Sequence, residues 1–192
     1  MSSSAAASKD LSEMKKPLGE LDFEIRILEG DETVKSFDCG DDDLNDFILN
    51  SAPLYKSEML AETFIVEDCQ GKVLAYFSLA TDKITLTEFE DKTEFNRFRK
   101  KHFPNEKRLK AYPAIKICRF AVDLSAREYH LGSTLLQYIK WKILTEIELG
   151  CRYITVDAYL QAIPFYEKND FKILTVSDEE DKHTRLLYFD MK

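Results

Sequence analysis

Two short segments carry residues whose types and spacing suit chemistry. The first is Val122-Asp123-Leu124-Ser125-Ala126-Arg127-Glu128-Tyr129-His130-Leu131-Gly132-Ser133. It follows a β-branched, apolar run, Ile115 to Val122, and leads into a stripe of apolar residues at helical spacing. A strand that turns into a helix presents free backbone amides at the positive end of the helix dipole, which suits a phosphate or pyrophosphate. Arg127 stands at the mouth of that turn, and Gly132 permits close backbone approach. The second segment is Gln161-Ala162-Ile163-Pro164-Phe165-Tyr166-Glu167-Lys168-Asn169-Asp170-Phe171, a short helix after a further strand, Arg152 to Asp157. The order strand, anion-capturing turn, helix, strand, tyrosine predicts a coenzyme site.

Charge is segregated along the chain. The net charge is −8, which argues against a polyanionic partner for the molecule as a whole. Residues 91–119, however, hold ten Lys/Arg against three acids, +7 in all, leaving −15 on the remainder. Arg97, Arg99, Lys100 and Lys101 form the centre of that segment. Such a segment reads either as a solvated helix face or as an anion footprint. The four cysteines (Cys39, Cys69, Cys118, Cys151) are widely spaced with no CxxC pair, so they read as reduced thiols without metal or disulfide framework. No run of about 18 apolar residues predicts a membrane span. The first residues lack both a basic leader and an apolar stretch, so the expected location is cytoplasmic.

The elements that must position these residues are legible from periodicity. Residues 1–19 are Ser/Ala/Lys-rich without periodicity and read as a tail, leaving one domain over 20–192. Phe23 to Leu28 predicts a first strand. Phe37 to Leu44 opens a helix whose acidic first turn suits the dipole, and Ala52-Pro53 is expected to break it before a second short helix. A hairpin is predicted from Glu62–Glu67 and Lys72–Ala80 across Gly71. An insert at about 84–111 is predicted as a helix with one aromatic and one basic face. Thr87 and Glu90 are its expected capping box and Pro104-Asn105 its end. Leu131, Leu135, Leu136, Ile139, Ile143 and Ile147 mark a core-facing helix with Gly150 as its stop signal. Phe171–Val176 and Arg185–Asp190 predict a final antiparallel pair. The expected class is α/β of the α+β kind, a single domain with a mixed sheet and one parallel pair crossed by the 131–147 helix.

At these residues the chain resembles a family. Arg127-Glu128-Tyr129-His130-Leu131-Gly132 is similar to the Q/R-x-x-G-x-G/A signature of GNAT-superfamily N-acetyltransferases. Phe165 to Phe171 is similar to their F-Y-x-x-x-G-F segment. His130 and Asp170 stand where the family keeps glycines. Phe37-Asp38-Cys39-Gly40 with Leu44 to Ile48, Ala75 to Leu79, and Arg119 to Asp123 resemble the GNAT toxins of toxin–antitoxin pairs, which acetylate the amino acid on charged tRNA.

The resemblance implies a GNAT fold: a mostly antiparallel twisted sheet flanked by helices, with a splayed central parallel pair. It implies acetyl-CoA held by the backbone of Phe120, Ala121 and Val122 and by the turn Arg127, His130, Leu131, Gly132, Ser133 and Thr134, with Gln161 near the coenzyme. It implies Tyr166 as general acid, since a phenol near about 10 can donate to a departing thiolate near about 8.5. Tyr159 stands close enough to share that part. The basic residues Arg97, Arg99, Lys100 and Lys101 would meet the acceptor, and a charged tRNA and an antitoxin protein would be the partners of a monomer or homodimer. No general base is legible. Other readings remain: a small-molecule or protein N-terminal acetyltransferase, a non-catalytic acyl-CoA-binding regulatory domain, or a nucleic-acid module using only the basic insert.

Overall fold

The computed structural model describes residues 22–102, 109–174 and 183–192. The expected tail, Pro104-Asn105 and the whole stretch 175–182, which includes the end of the expected strand Phe171–Val176, lie outside the described residues. Seven strands form one sheet: β1 (Phe23–Ile27), β2 (Glu62–Asp68), β3 (Val73–Thr85), β4 (Ala111–Val122), β5 (Tyr153–Tyr159), β6 (Lys172–Ile173) and β7 (Thr184–Asp190). Their order across the sheet is β1-β2-β3-β4-β5-β7-β6. Every neighbouring pair is antiparallel except β4–β5, which is parallel. The helices are α1 (Asp42–Asp46), α2 (Ala52–Ser57), α3 (Lys92–His102), α4 (Leu131–Glu146) and α5 (Ile163–Lys168). This is the GNAT fold expected from the sequence.

The parallel pair explains the site. β4 and β5 pair only from Ala114↔Tyr153 to Ile117↔Val156. Beyond that point β4 continues to Val122 against β3 alone, and β5 continues to Tyr159 against β7 alone. The two strands therefore splay into a wedge. A bulge makes the wedge possible. Ser78 pairs with Arg119 and Leu79 with Ile117, so Cys118 is an extra residue in β4. A one-residue insertion reverses which side chains point to which face. Before it, Ile115 and Ile117 pack toward α4; after it, Phe120 does. Arg119 and Ala121 instead face α1 and the turn that follows it.

α4 covers one face of the sheet. Leu135, Leu136, Ile139 and Ile143 are fully or nearly fully buried against β2, β3, β4 and β5. Burying such side chains contributes about 1.5–3 kcal/mol each. α1, α2 and α3 lie on the other face. Tyr76 sits beneath α1 and α2, and Ile84 beneath α3. They are eight residues apart on the same side of β3, so the two helical lobes are separated by roughly 27 Å along the strand.

Several local expectations are corrected. The run from Asp42 is not broken at Pro53: α1 passes through a π-helical turn, Phe47–Ser51, directly into α2. The wide turn removes the need for a donor where proline has none. The capping box is Thr85–Glu88, not Thr87–Glu90. Both frames read S/T-x-x-E. The first wins because Thr85 ends β3 in the extended conformation a cap requires. α3 is capped instead by Asp91, which accepts from the Glu94 amide. α4 stops at Glu146, so Gly150 is not its cap. β4 begins at Ala111, ahead of the expected start at Ile115, and β3 extends five residues past Ala80.

Candidate functional site

The wedge opens into a cleft of about 1180 Å³. One wall is the free stretch Cys118–Val122 of β4, and the other comes from Val156–Tyr159 of β5 and from α5. The unpaired backbone of β4 is an edge to which an extended, amide-bearing ligand adds as a strand. At the far end of β4 the turn Asp123–His130 leads into α4.

The turn is fastened by side chains that the sequence reading passed over. Asp123 is 6% exposed and accepts from the amides of Ser125 and Asp38 and from the Ser125 hydroxyl, with Lys72 at 3.6 Å. Burial pushes the carboxyl up, but these hydrogen bonds and the Lys72 charge outweigh it and hold it below its usual range. Asp38 in turn accepts from the Gly40 amide and from Asn45, whose own Oδ1 accepts from the Cys39 amide. Gly40 has φ +77°, which reserves that position for glycine. The Phe37–Gly40 segment is thus a staple holding the turn against α1. Arg127 closes it by donating to the Cys39 carbonyl, so its guanidinium is partly committed before any anion arrives.

His130 caps α4 with φ 53° and ψ 24°, the left-handed region. Asp170, the second substituted glycine, has φ 68°. The backbone therefore keeps the geometry a glycine would favour, in residues that tolerate it better than most. Left-handed backbone costs roughly 1–2 kcal/mol for an L-residue, and glycine returns about 0.5–1 kcal/mol of that as unfolded-state entropy. His130→Gly is expected to raise stability by about 0.5–1 kcal/mol, read as a higher midpoint in urea at unchanged slope. His130 makes no side-chain cap, which leaves the first amides of α4 without a side-chain acceptor. A Cβ on Gly132 would lie 3.2 and 3.3 Å from ring carbons of Phe165. That glycine is there for the contact between α4 and α5, not for turn geometry.

Tyr166 projects from α5 into the wedge. It is 5% exposed and packed edge-on against Phe120, Phe165 and Phe171. Burial pushes its phenol well above the ordinary range, so it stays protonated at neutral pH. Tyr159, at the end of β5, also lines the cleft. Its phenol is also raised, by burial and by Asp41 and Asp43.

The sequence-derived residues divide cleanly. Phe120, Ala121, Val122, Arg127, His130, Gly132, Ser133, Tyr159, Gln161 and Tyr166 line one cleft. The Leu131 side chain is fully buried in the core, and Thr134 is not on the lining, so only their backbone can serve. Arg97, Arg99, Lys100 and Lys101 do not line it either. Arg99 stacks on Phe95 and donates to Asn96 and Leu109, so it braces α3. Arg97, Lys100 and Lys101 are exposed.

Lining residues not anticipated include Asp41, Asp43, Asp46, Phe47 and Tyr55 from α1 to α2, Arg119 over the Phe47 ring at 5.1 Å, and the ion pair of Lys116 with Asp157. α3 shares the face of α1 and α2. Its docking partner Tyr112 is four residues, roughly 13 Å, from Lys116 at the wedge apex. Among the described residues no helix is long and apolar enough to cross a membrane, and no cluster of His, Cys, Asp and Glu suits a metal ion.

No family model and no curated protein matches the sequence. Solved structures do match. AtaT complexed with acetyl-methionyl-tRNAfMet superposes at TM-score 0.65 with 21% identity, covering 88% of this chain and 95% of that one. AtaTR bound with AcCoA gives 0.66 and 21%, covering 88% and 94%. A tyrosine-to-phenylalanine mutant of KacT gives 0.64 and 18%, covering 88% and 95%. The chain therefore has the GNAT fold, in the form found in the toxin AtaT and in KacT.

Proposed function

We propose that this protein is an acetyl-CoA-dependent N-acetyltransferase whose acceptor is the α-amino group of an aminoacyl-tRNA. The observation that carries the reading is the wedge: a free β4 edge, the uncapped amides of α4 at its end, and a buried protonated tyrosine facing it. Acetyl-CoA, when bound, supplies an activated thioester. The β4 edge from Cys118 to Val122 fits its amide-bearing arm, and the amides of Leu131 and Gly132 beside Arg127 fit its phosphates. Tyr166 hydrogen-bonds the departing sulfur, and its burial raises the basicity of that sulfur as well, which favours delivery of the proton. An α-amine titrates near about 7.7–8.0, so much of an aminoacyl ester is neutral without a protein base. The glycine geometry held by His130 and Asp170 removes the motive for a non-catalytic reading.

The tRNA part is supported by the position of α3 and by the neighbours, which include AtaT with acetyl-methionyl-tRNAfMet and AtaT bound to the C-terminus of the antitoxin AtaR. An acceptor end entering from the α1–α3 face would lay its phosphates across Arg97, Lys100 and Lys101. An antitoxin partner is part of the same reading. A small cationic amine is the second reading, favoured by Asp41, Asp43 and Asp46 on the cleft wall.

Incubation with labelled acetyl-CoA and a charged tRNA pool should place label on aminoacyl-tRNA; label only on polyamines or peptides selects the second reading. Neutralising Arg97, Lys100 and Lys101 to Gln together should weaken tRNA binding. The slope of log K against log salt should fall by about 2–3, at roughly 0.7–0.9 per phosphate contact.

A further inference from the structure

Lys140 is the one residue of the α4 core stripe with a charge. It is 6% exposed, on the same helix face as Leu136, Ile139 and Ile143. Its ammonium donates to the Asn169 carbonyl at 2.6 Å and lies 3.9 Å from the centre of the Phe189 ring and 5.6 Å from that of Phe171. The Asp170 carboxylate is 3.7 Å away but mostly exposed. Burial pushes the Lys140 ammonium below its usual range, against the pull of Asp170. Charge in such surroundings is expensive, and a well-packed apolar side chain would serve folding as well or better.

What the ammonium holds is the end of α5. Asn169 is the C-cap of that helix, and the amides of Asn169 and Phe171 both donate to the carbonyl of Tyr166. A cation at this end also meets the negative pole of the helix. The Asn169 side chain, 5% exposed, points the other way along the same connection: its Nδ2 donates to the Phe165 carbonyl at 2.8 Å and to the Ser133 hydroxyl at 3.3 Å. Ser133 lines the cleft at the first turn of α4. One asparagine is thus clamped by α4 twice, through its backbone by Lys140 and through its side chain by Ser133, and the clamped segment carries Tyr166.

We propose that Lys140 and Asn169 are positioning residues that fix Tyr166 in the wedge and link its placement to the anion-binding turn through Ser133. The inference rests on the acetyltransferase reading. Lys140→Met removes the ammonium and keeps much of the volume; Asn169→Ala removes the side-chain half of the clamp. In each folded variant kcat is expected to fall at least about tenfold while KM for acetyl-CoA stays within about twofold, the pattern of a lost transition-state contact. Lys140→Arg, which restores a donor, should recover part of the loss.

A second readout needs no acceptor. With 3-fluorotyrosine at position 166, wild type should give one narrow fluorine resonance that moves on addition of acetyl-CoA. Lys140→Met or Asn169→Ala should broaden or split it and weaken the response. If the Met variant fails to fold, the Ala variant carries the test. Wild-type kcat and an unchanged single resonance in either folded variant would overturn the proposal. Absence of turnover by wild type on every amine, with the resonance still split in the variants, would instead overturn the acetyltransferase reading and leave the positioning role standing.

Discussion

Tyr166→Phe is expected to lower kcat by about 10²- to 10⁴-fold, the range of a lost general acid, with acetyl-CoA affinity nearly unchanged. The phenol is buried among Phe120, Phe165 and Phe171, so phenylalanine fills the same space. Among the described residues no hydrogen bond joins its hydroxyl to the protein. Removing it deletes no structural contact and spares a poorly solvated polar group, so the melting temperature should not fall. Single-turnover acetyl transfer, isothermal titration with acetyl-CoA and a thermal melt on the same preparation check the three statements together. Because burial holds the phenol protonated, the wild-type rate should show no alkaline loss attributable to Tyr166 across neutral pH. If Tyr159 were the donor instead, Tyr159→Phe would carry the large loss and Tyr166→Phe would not.

Gly132→Val should raise the dissociation constant for acetyl-CoA at least about tenfold and also destabilise the fold by about 1–3 kcal/mol, the usual cost of overpacking. Even the first added carbon would sit 3.2 Å from Phe165, which belongs to the same short helix as Tyr166. Relief requires the Phe165 ring, which also packs on Phe120 and Tyr166, to shift or α4 and α5 to separate, and either disturbs the cleft beside the first amides of α4. Gly132→Ala adds only that first carbon, so its effect should be smaller in both measurements. Titration calorimetry and urea unfolding of the two variants test the order wild type, Ala, Val. Equal affinity in all three would mean the phosphates do not approach this turn.

Much of this was legible in the residues. Alternation and helical spacing placed every major strand and the α4 stripe, because burial of a period-2 or period-3.6 face leaves a direct trace in the order of side chains. The turn between β4 and α4 and the tyrosine segment were legible as motifs, and ten of the sequence-derived site residues line a single cleft. What local pattern could not rank were competing frames and long-range partners. Thr85–Glu88 and Thr87–Glu90 read alike as capping boxes, and only the end of β3 separates them. Pro53 reads as a break, yet a π-helical turn absorbs it.

The sequence by itself determined the element order, the candidates for chemistry and the segregation of charge, since each depends on residue type and near neighbours. The tertiary structure decided the rest. It opened β4 from β5 after Ile117 through a one-residue bulge at Cys118, a register fact with no local signature. It bound Asp38 to Asp123 across 85 residues and set Lys140 against Asn169 across 29, contacts that exist only once the sheet has closed. It also put Arg97, Lys100 and Lys101 on α3, on the face of the sheet that carries α1 and α2 but outside the cleft, because the aromatic side of α3 docks on Tyr112, Tyr153 and Tyr188 at the start of the parallel pair, not at its open end.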